Sequence, residues 1–231
     1  MPEEGVNVTH EGAPGLAAVL FDMDGTLVDT EGVWWRAVEA TAARLGHRLT
    51  EADVPGVLGR SVDDTADHLL KVTATPRPRA GLVAELGTRF TELVAEEVVP
   101  RPGAVALLDA LRAEGVPLAL VSASPRRVVD LVLRTLGADR FAVTVSADDT
   151  ARTKPHPAPY LAAARLLGAD PARCVAVEDT PTGVASAEAA GCPVLAVPSS
   201  VPVPTAPGRT VLPGLDAAGP ALLRSLVTSA G

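Results

Sequence analysis

In the stretch Leu16–Glu31 (LAAVLFDMDGTLVDTE), two aspartates, Asp22 and Asp24, stand two residues apart just where the apolar run Leu16–Phe21 ends. Carboxylates that close repel one another, so the pair calls for a cation or for reactive use. Later apolar runs end in groups of the same kind: Ser122-Ala123-Ser124 after one, Glu178-Asp179 after another, and Lys154 in the loop after a third. If these runs are parallel strands of one sheet, their C-terminal ends share the edge at which such sheets bind ligands. Carboxylates, a hydroxyl and a lysine then converge there, and oxygen donors of this kind suit Mg²⁺ together with a phosphate.

That constellation fits phosphoryl transfer through a covalent intermediate. Asp22 is the expected nucleophile, giving an aspartyl-phosphate. Asp24 is the expected general acid toward a leaving alcohol and then the base for a hydrolytic water. Ser122 would hydrogen-bond a phosphoryl oxygen, and Lys154 would neutralise charge on nucleophile and phosphate. Mg²⁺ would lie between Asp22, the Asp24 carbonyl and Asp179, with Glu178 bound directly or through water. Gly25 permits the turn that brings both aspartates to one group.

Taken singly, each residue has a plainer role, since a strand-end Asp is often a turn residue and a lone Lys a solvated charge. The ordered recurrence at successive strand ends is what favours chemistry. A calcium loop is excluded, because its fifth, sixth and twelfth positions would fall on Thr26, Leu27 and Val33. No phosphate-cradling GxxxxGK[ST] loop or dinucleotide GxGxxG occurs either.

The elements that must position these residues are legible in the apolar pattern. Strands are expected at Leu16–Phe21, Val116–Ser122, Phe141–Ser146, Arg173–Asp179 and Cys192–Pro198. Helices ending in glycine are expected over Ala104–Gly115, Arg126–Gly137, Ala158–Gly168 and Pro181–Gly191, the last with Thr180 as N-cap. Alternating strands and helices mean βαβ units and a parallel sheet covered on both faces. Residues 31–99 break that rhythm with helical patterns alone, so the expected domains are 1–30 and 100–231 as the core and 31–99 as a helical cap. The Pro198–Thr210 segment reads as a Pro-rich surface connection before a last strand and helix.

Composition narrows the class of partner. The chain of 231 residues is 47% hydrophobic and only 3% aromatic, so a buried core built from Ala, Val and Leu is expected. A net charge of −8 without a basic stripe argues against nucleic acid. No apolar run approaches the ~20 residues of a membrane span, and the acidic start, MPEEGVNVTH, is unlike a signal peptide. The expectation is a cytoplasmic protein, a monomer or weak dimer, that binds a small phosphorylated metabolite. Cys174 and Cys192 read as small buried residues, and Asn7-Val8-Thr9 as a chance glycosylation triplet.

The motifs FDMDGTLVDT (21–30), LVSAS (120–124), Lys154-Pro155 and VEDTPTGVASAEAAG (177–191) resemble, in order, those of the haloacid dehalogenase superfamily with an inserted helical cap. The resemblance implies a Rossmann-like α/β core, Mg²⁺, and the roles given to Asp22, Asp24, Ser122, Lys154 and Asp179, with Ala123 joining Ser122 and Lys154 at the phosphate. An acid at position 24 is typical of the family's phosphatases and phosphomutases and is lacking in its dehalogenases. Among its members the chain is similar to sugar-phosphate phosphatases and β-phosphoglucomutase. The mutase's usual cap His and Arg are replaced here by Trp34 and Val62, and Trp34-Trp35-Arg36 resembles 2-deoxyglucose-6-phosphatase-like enzymes instead. Phosphonate cleavage would need a Schiff-base lysine in the cap, where Lys71 is the only lysine and falls in a helix. A loop over Val57–Asp64 is expected to choose the substrate, with Gly59, Arg60 and the wall residue Trp34 facing it.

Overall fold

The first apolar run folds as β1 (Ala18–Phe21), all four of its residues buried, as an unbroken AVLF run requires of a strand covered on both sides. The computed structural model describes residues 15–228, so the acidic start and the Asn7-Val8-Thr9 triplet lie outside the described residues. Five more strands join β1: β2 (Leu118–Val121), β3 (Val143–Val145), β4 (Cys174–Glu178), β5 (Val194–Ala196) and β6 (Arg209–Val211). All pairs are parallel, in the order β3-β2-β1-β4-β5-β6. Phe21 is paired with Leu120 on one side and Val177 on the other, so the next residue, Asp22, stands level with Val121 and Glu178.

Between β1 and β2 come α1 (Glu31–Arg44), α2 (Val54–Val57), α3 (Val62–Thr73), α4 (Arg79–Glu97) and α5 (Ala104–Ala113). The later helices alternate with strands: α6 (Arg126–Leu136), α7 (Ala158–Leu166), α8 (Pro181–Ala189) and, after β6, α9 (Pro220–Thr228). Successive strand residues point to opposite faces, and the sequence divides them by size. Val19, Phe21, Leu118, Leu120, Val175 and Val177 meet α5, α6 and α9, whereas four alanines, Ala18, Ala119, Ala176 and Ala196, lie with Leu20, Val121 and Val194 on the face of α7 and α8. Small residues let α7 and α8 approach closely, which is how a core with few aromatics packs densely. Cys174 and Cys192 are free and buried on that face, and burial pushes their thiols up to about 11 and about 12. No helix among the described residues is long and apolar enough to cross a membrane.

The helices α1–α4 build a separate apolar cluster from Val38, Ala42, Val57, Ala66, Leu69, Leu82 and Leu86. Two chain passes tie this lobe to the sheet side by side: Asp29 N–H donates to Val99 O (3.1 Å) and Arg101 N–H to Leu27 O (2.8 Å). Asp29 also caps the start of α1, its Oδ1 accepting from Gly32 N–H at 3.2 Å. The turn at Glu51–Asp53 and the short α2 are additions to the helices expected from the sequence. They form around one buried acid. Asp53 accepts from Thr50 N–H (2.9 Å), while its Oδ1 meets His68 Nε2 (2.9 Å) and His47 Nε2 (3.2 Å).

Burial alone would raise the Asp53 pKa, but the Thr50 N–H and the two histidines outweigh it and hold the carboxyl down at about 2. Its stabilisation is therefore complete above the unfolded value of 3.8 and is lost as the pH falls through about 2. Between about pH 4 and pH 2 the denaturation midpoint of the wild type is expected to fall more steeply than that of Asp53→Asn. Parallel pH profiles for the two proteins would show that Asp53 does not fasten the lobe.

Candidate active site

The strand order reverses between β1 and β4, and the crevice beyond their C-terminal ends is where a sheet of this topology takes its ligand. Backbone ladders continue into that crevice. Asp22 N–H donates to Val177 O (2.9 Å), Ser122 N–H to Val145 O (2.8 Å), and Val197 N–H to Glu178 O (2.8 Å). Asp22, Ser122 and Glu178 are thus held by the sheet itself, and Lys154 reaches them from the loop after β3.

Lys154 is the centre of the charge network. Its Nζ donates to Asp22 Oδ1 (2.6 Å), Glu178 Oε1 (2.6 Å) and Val121 O (2.9 Å), which uses all three of its N–H donors. Burial alone would lower the Lys154 pKa, but the Asp22 and Glu178 charges outweigh it and raise it. Tyr160 O–H adds a second donor to Glu178 Oε1 at 2.6 Å, and its ring lies 5.1 Å from the Lys154 nitrogen. Burial pushes the pKa of Glu178 up, as it does for Asp179, whose neighbour Asp22 adds repulsion.

Asp22, Glu178 and Asp179 bring one oxygen each to within 4.8 Å of one another, all three residues buried. Three carboxylates against one ammonium leave an excess of negative charge, and Asp22 Oδ2 has no hydrogen-bond partner. An all-oxygen donor set with an orphaned buried oxygen fits a hard divalent cation. The Asp24 carboxylate is turned away from this group: Oδ2 accepts from Ser122 Oγ (3.0 Å) and Ser124 Oγ (2.9 Å). Burial, then the Asp22 charge, raises the Asp24 pKa, while the two serines and Thr30 oppose the rise.

The family model for haloacid dehalogenase-like hydrolase matches residues 16–191, from just before β1 to just after α8. The chain belongs to this family. As a haloacid dehalogenase-like hydrolase it is an α/β enzyme, and its relatives share most of its length. Hexitol phosphatase A of Escherichia coli (strain K12) is 36% identical over 189 residues, which covers 80% of this chain and 84% of the relative. The crystal structure of CbbY from Rhodobacter sphaeroides, as a mutant in complex with xylulose-(1,5)bisphosphate, is similar with a TM-score of 0.76 and 27% identity over 90% of this chain and 99% of that one. A putative β-phosphoglucomutase from Thermotoga maritima is similar with a TM-score of 0.75 and 25% identity over 91% of this chain and 98% of that one.

Above the acids a cavity of about 590 Å³ opens between sheet and helical lobe. Asp24, Ala123, Ser124 and Asp179 line it from the sheet side, and Trp34, Gly59 and Arg60 from the lobe, whereas Asp22, Ser122, Lys154 and Glu178 do not line it. Trp34 is fixed there, its Nε1–H donating to Val57 O (3.0 Å) and its ring meeting Phe90 edge-on at 5.5 Å. Arg60 Nε–H donates to Pro55 O (2.9 Å). The sequence reading named Ser124 at its strand end without giving it a role, and missed Tyr160 and Ser199. Ser199 stands three residues beyond β5, in a stretch that reads as a proline-rich connection, so strand ends alone give it no role. Tyr160, the chain's only tyrosine, sits in an alanine-rich helix, which is itself a signal for a polar reach.

Two glycines make room for the acids. A Cβ on Gly25, at φ +82°, would lie 2.1 Å from Asp179 Oδ2, and one on Gly183 would lie 2.0 Å from the Glu178 carboxylate. Gly183 has helical backbone, where Ala is ordinarily better by about 1 kcal/mol. Glu178 is pinned by Lys154 and Tyr160 and has nowhere to yield. Gly183→Ala is therefore expected to lower stability by about 1–3 kcal/mol in chemical denaturation. A variant as stable as the wild type would mean that Glu178 is free to move.

Proposed function

We propose that this hydrolase is a Mg²⁺-dependent phosphatase that cleaves a small phosphorylated metabolite, a sugar phosphate, through an aspartyl-phosphate on Asp22. The observation that carries the reading is the division of labour between two neighbouring aspartates. Asp22 is tied to a lysine and keeps one oxygen free, whereas Asp24 is half-buried at the cavity floor, bonded to two serines, with its pKa raised. A nucleophile has to be ionised and a general acid has to hold a proton, and environments this different separate the two tasks.

In the first half-reaction Asp22 attacks phosphorus and the ester P–O bond breaks. Asp24 gives its proton to the departing alcohol oxygen. In the second, Asp24 takes a proton from water, whose oxygen attacks phosphorus, and the bond to Asp22 breaks to release phosphate. Lys154 holds Asp22 in line and offsets charge. Ser122 and the Ala123 backbone would take phosphoryl oxygens once substrate draws Ser122 from Asp24. Asp22 and Asp179, with the Asp24 carbonyl and Glu178 beside them, would hold Mg²⁺, which supplies charge neutralisation at the transferring phosphoryl group.

Residues 31–99 act in this reading as a cap domain over the 1–30 and 100–231 core, shutting water out of the cavity. Gly59, Arg60 and Trp34 would touch the part of the substrate remote from the phosphate. Hydrolysis is favoured over phosphomutase chemistry because Trp34 is committed to Val57 and Phe90 and offers the site no proton carrier. The enzyme is further read as a cytoplasmic monomer or weak dimer. Relatives such as hexitol phosphatase A support a sugar-like substrate.

A panel of sugar phosphates and other phosphomonoesters, assayed with Mg²⁺ for phosphate release, tests the proposal. Asp22→Asn is expected to lose at least about 10³-fold in rate and Asp24→Asn about 10²–10⁴-fold. Equal phosphate release by wild type and Asp22→Asn would sink the nucleophile assignment. Isomerised sugar phosphate in place of free phosphate would favour the mutase.

A further inference from the structure

The segment that follows β5 does more than connect. Three consecutive residues in it reach three different parts of the molecule. Ser199 Oγ donates to Asp179 Oδ2 at 2.5 Å. Ser200 Oγ donates to the Glu31 carboxylate in the first turn of α1. Val201 stands beside the loop 58–61, with Cγ2 4.0 Å from where a Cβ on Gly59 would sit. The sheet anchors the segment at either end, through the Val197 N–H bond to Glu178 O and through Val203, buried on the face of α7 and α8.

Asp179 needs such a partner. Lys154 is spent on Asp22, Glu178 and Val121 O, and the carboxylates nearest Asp179 repel it. Gly25 leaves the space that lets the carboxylate sit there but gives it no hold. Mg²⁺ tolerates little error in the placing of its oxygen ligands, and groups that hydrogen-bond a ligand set its orientation.

We infer that Ser199 is a positioning residue for Asp179, and that Ser200 and Val201 make its hold depend on where the cap lies. This rests on the reading of Asp179 as a metal carboxylate. The hydroxyl fixes the turn of the carboxylate by taking one oxygen and leaving the other for the cation. With the cap in the position seen here, Glu31 and Gly59 brace the segment that carries Ser199. When the cap swings away, both braces are lost and Ser199 loosens. By reciprocity, a cation that orders Asp179 favours the cap position in which Ser200 meets Glu31. Metal loading and cap closure are then one equilibrium, with the sheet-anchored segment as the link.

Both tryptophans of the chain, Trp34 and Trp35, lie on α1 one turn beyond Glu31 and report on the cap without any label. The test titrates the whole protein with Mg²⁺ alone, by calorimetry and by tryptophan emission. Ser199→Ala is expected to bind Mg²⁺ about 10-fold more weakly, and Ser199→Thr, which keeps the hydroxyl, to recover most of that loss. Folded Ser199→Ala that binds as tightly as the wild type overturns the positioning role. In the Ser200→Ala/Val201→Gly double variant, the Mg²⁺-induced change in emission is expected to shrink to half or less. An undiminished change overturns the link to the cap. Phosphate release by a wild type that shows no Mg²⁺ binding removes this inference and leaves the hydrolase reading. Mg²⁺ binding with these variant effects but no phosphate release removes the phosphatase reading and leaves the inference.

Discussion

Lys154 spends all three N–H donors on one strand-end carbonyl and two carboxylates, and its side chain is only 5% exposed. Burying an ammonium or a carboxylate costs several kcal/mol per ion unless partners replace the lost water. Each of these groups is tolerable only because the others are there. The consequence is a strict spatial demand: β1, β2 and β4 have to end level with one another, and the loop after β3 has to return to the centre of the sheet. The pairing of Phe21 with Leu120 and Val177 meets that demand. One more carboxylate, Asp179, then stands at the edge of a network already short of positive charge, which is the physical case for a divalent cation.

The room for this network is made by small residues. Gly25 and Gly183 stand where any side chain would collide with Asp179 and Glu178. The face of the sheet that carries alanines brings α7 close enough for Tyr160 to reach Glu178. The same scarcity of aromatics that marks the composition thus serves the site. A bulkier layer would hold α7 too far out for the tyrosine hydroxyl to serve as a donor.

The helical lobe contributes by position and not by charge alone. It is tethered through paired backbone at Asp29 and Arg101, an arrangement that keeps its two crossings side by side. Its walls over the cavity mix an aromatic pair, Trp34 with Phe90, and the exposed Arg60. That mixture suits a polar organic body attached to a phosphate. The Ser199–Val201 segment closes the circuit between this lobe and the acids.

The sheet core was legible in the chain because parallel strands buried on both faces are unbroken apolar runs, and each expected run holds an observed strand. The acids at strand ends were legible for a related reason, since a sheet edge collects whatever follows each strand. Thr180 as N-cap was a local matter of hydrogen bonding within a few residues. The turn around Asp53 was not readable, because it depends on histidines six and fifteen residues away. Nor was the role of Ser199, which looked like part of a proline-rich surface connection. Which oxygen of Asp22 is taken by lysine, that Asp24 faces two serines and not the other acids, and that a segment after β5 bridges to α1 were decided only by the tertiary structure. Sequence determines which groups arrive at the edge, because strand period and burial act locally. Their pairings are long-range contests for a limited number of hydrogen-bond donors, and only the folded chain resolves them.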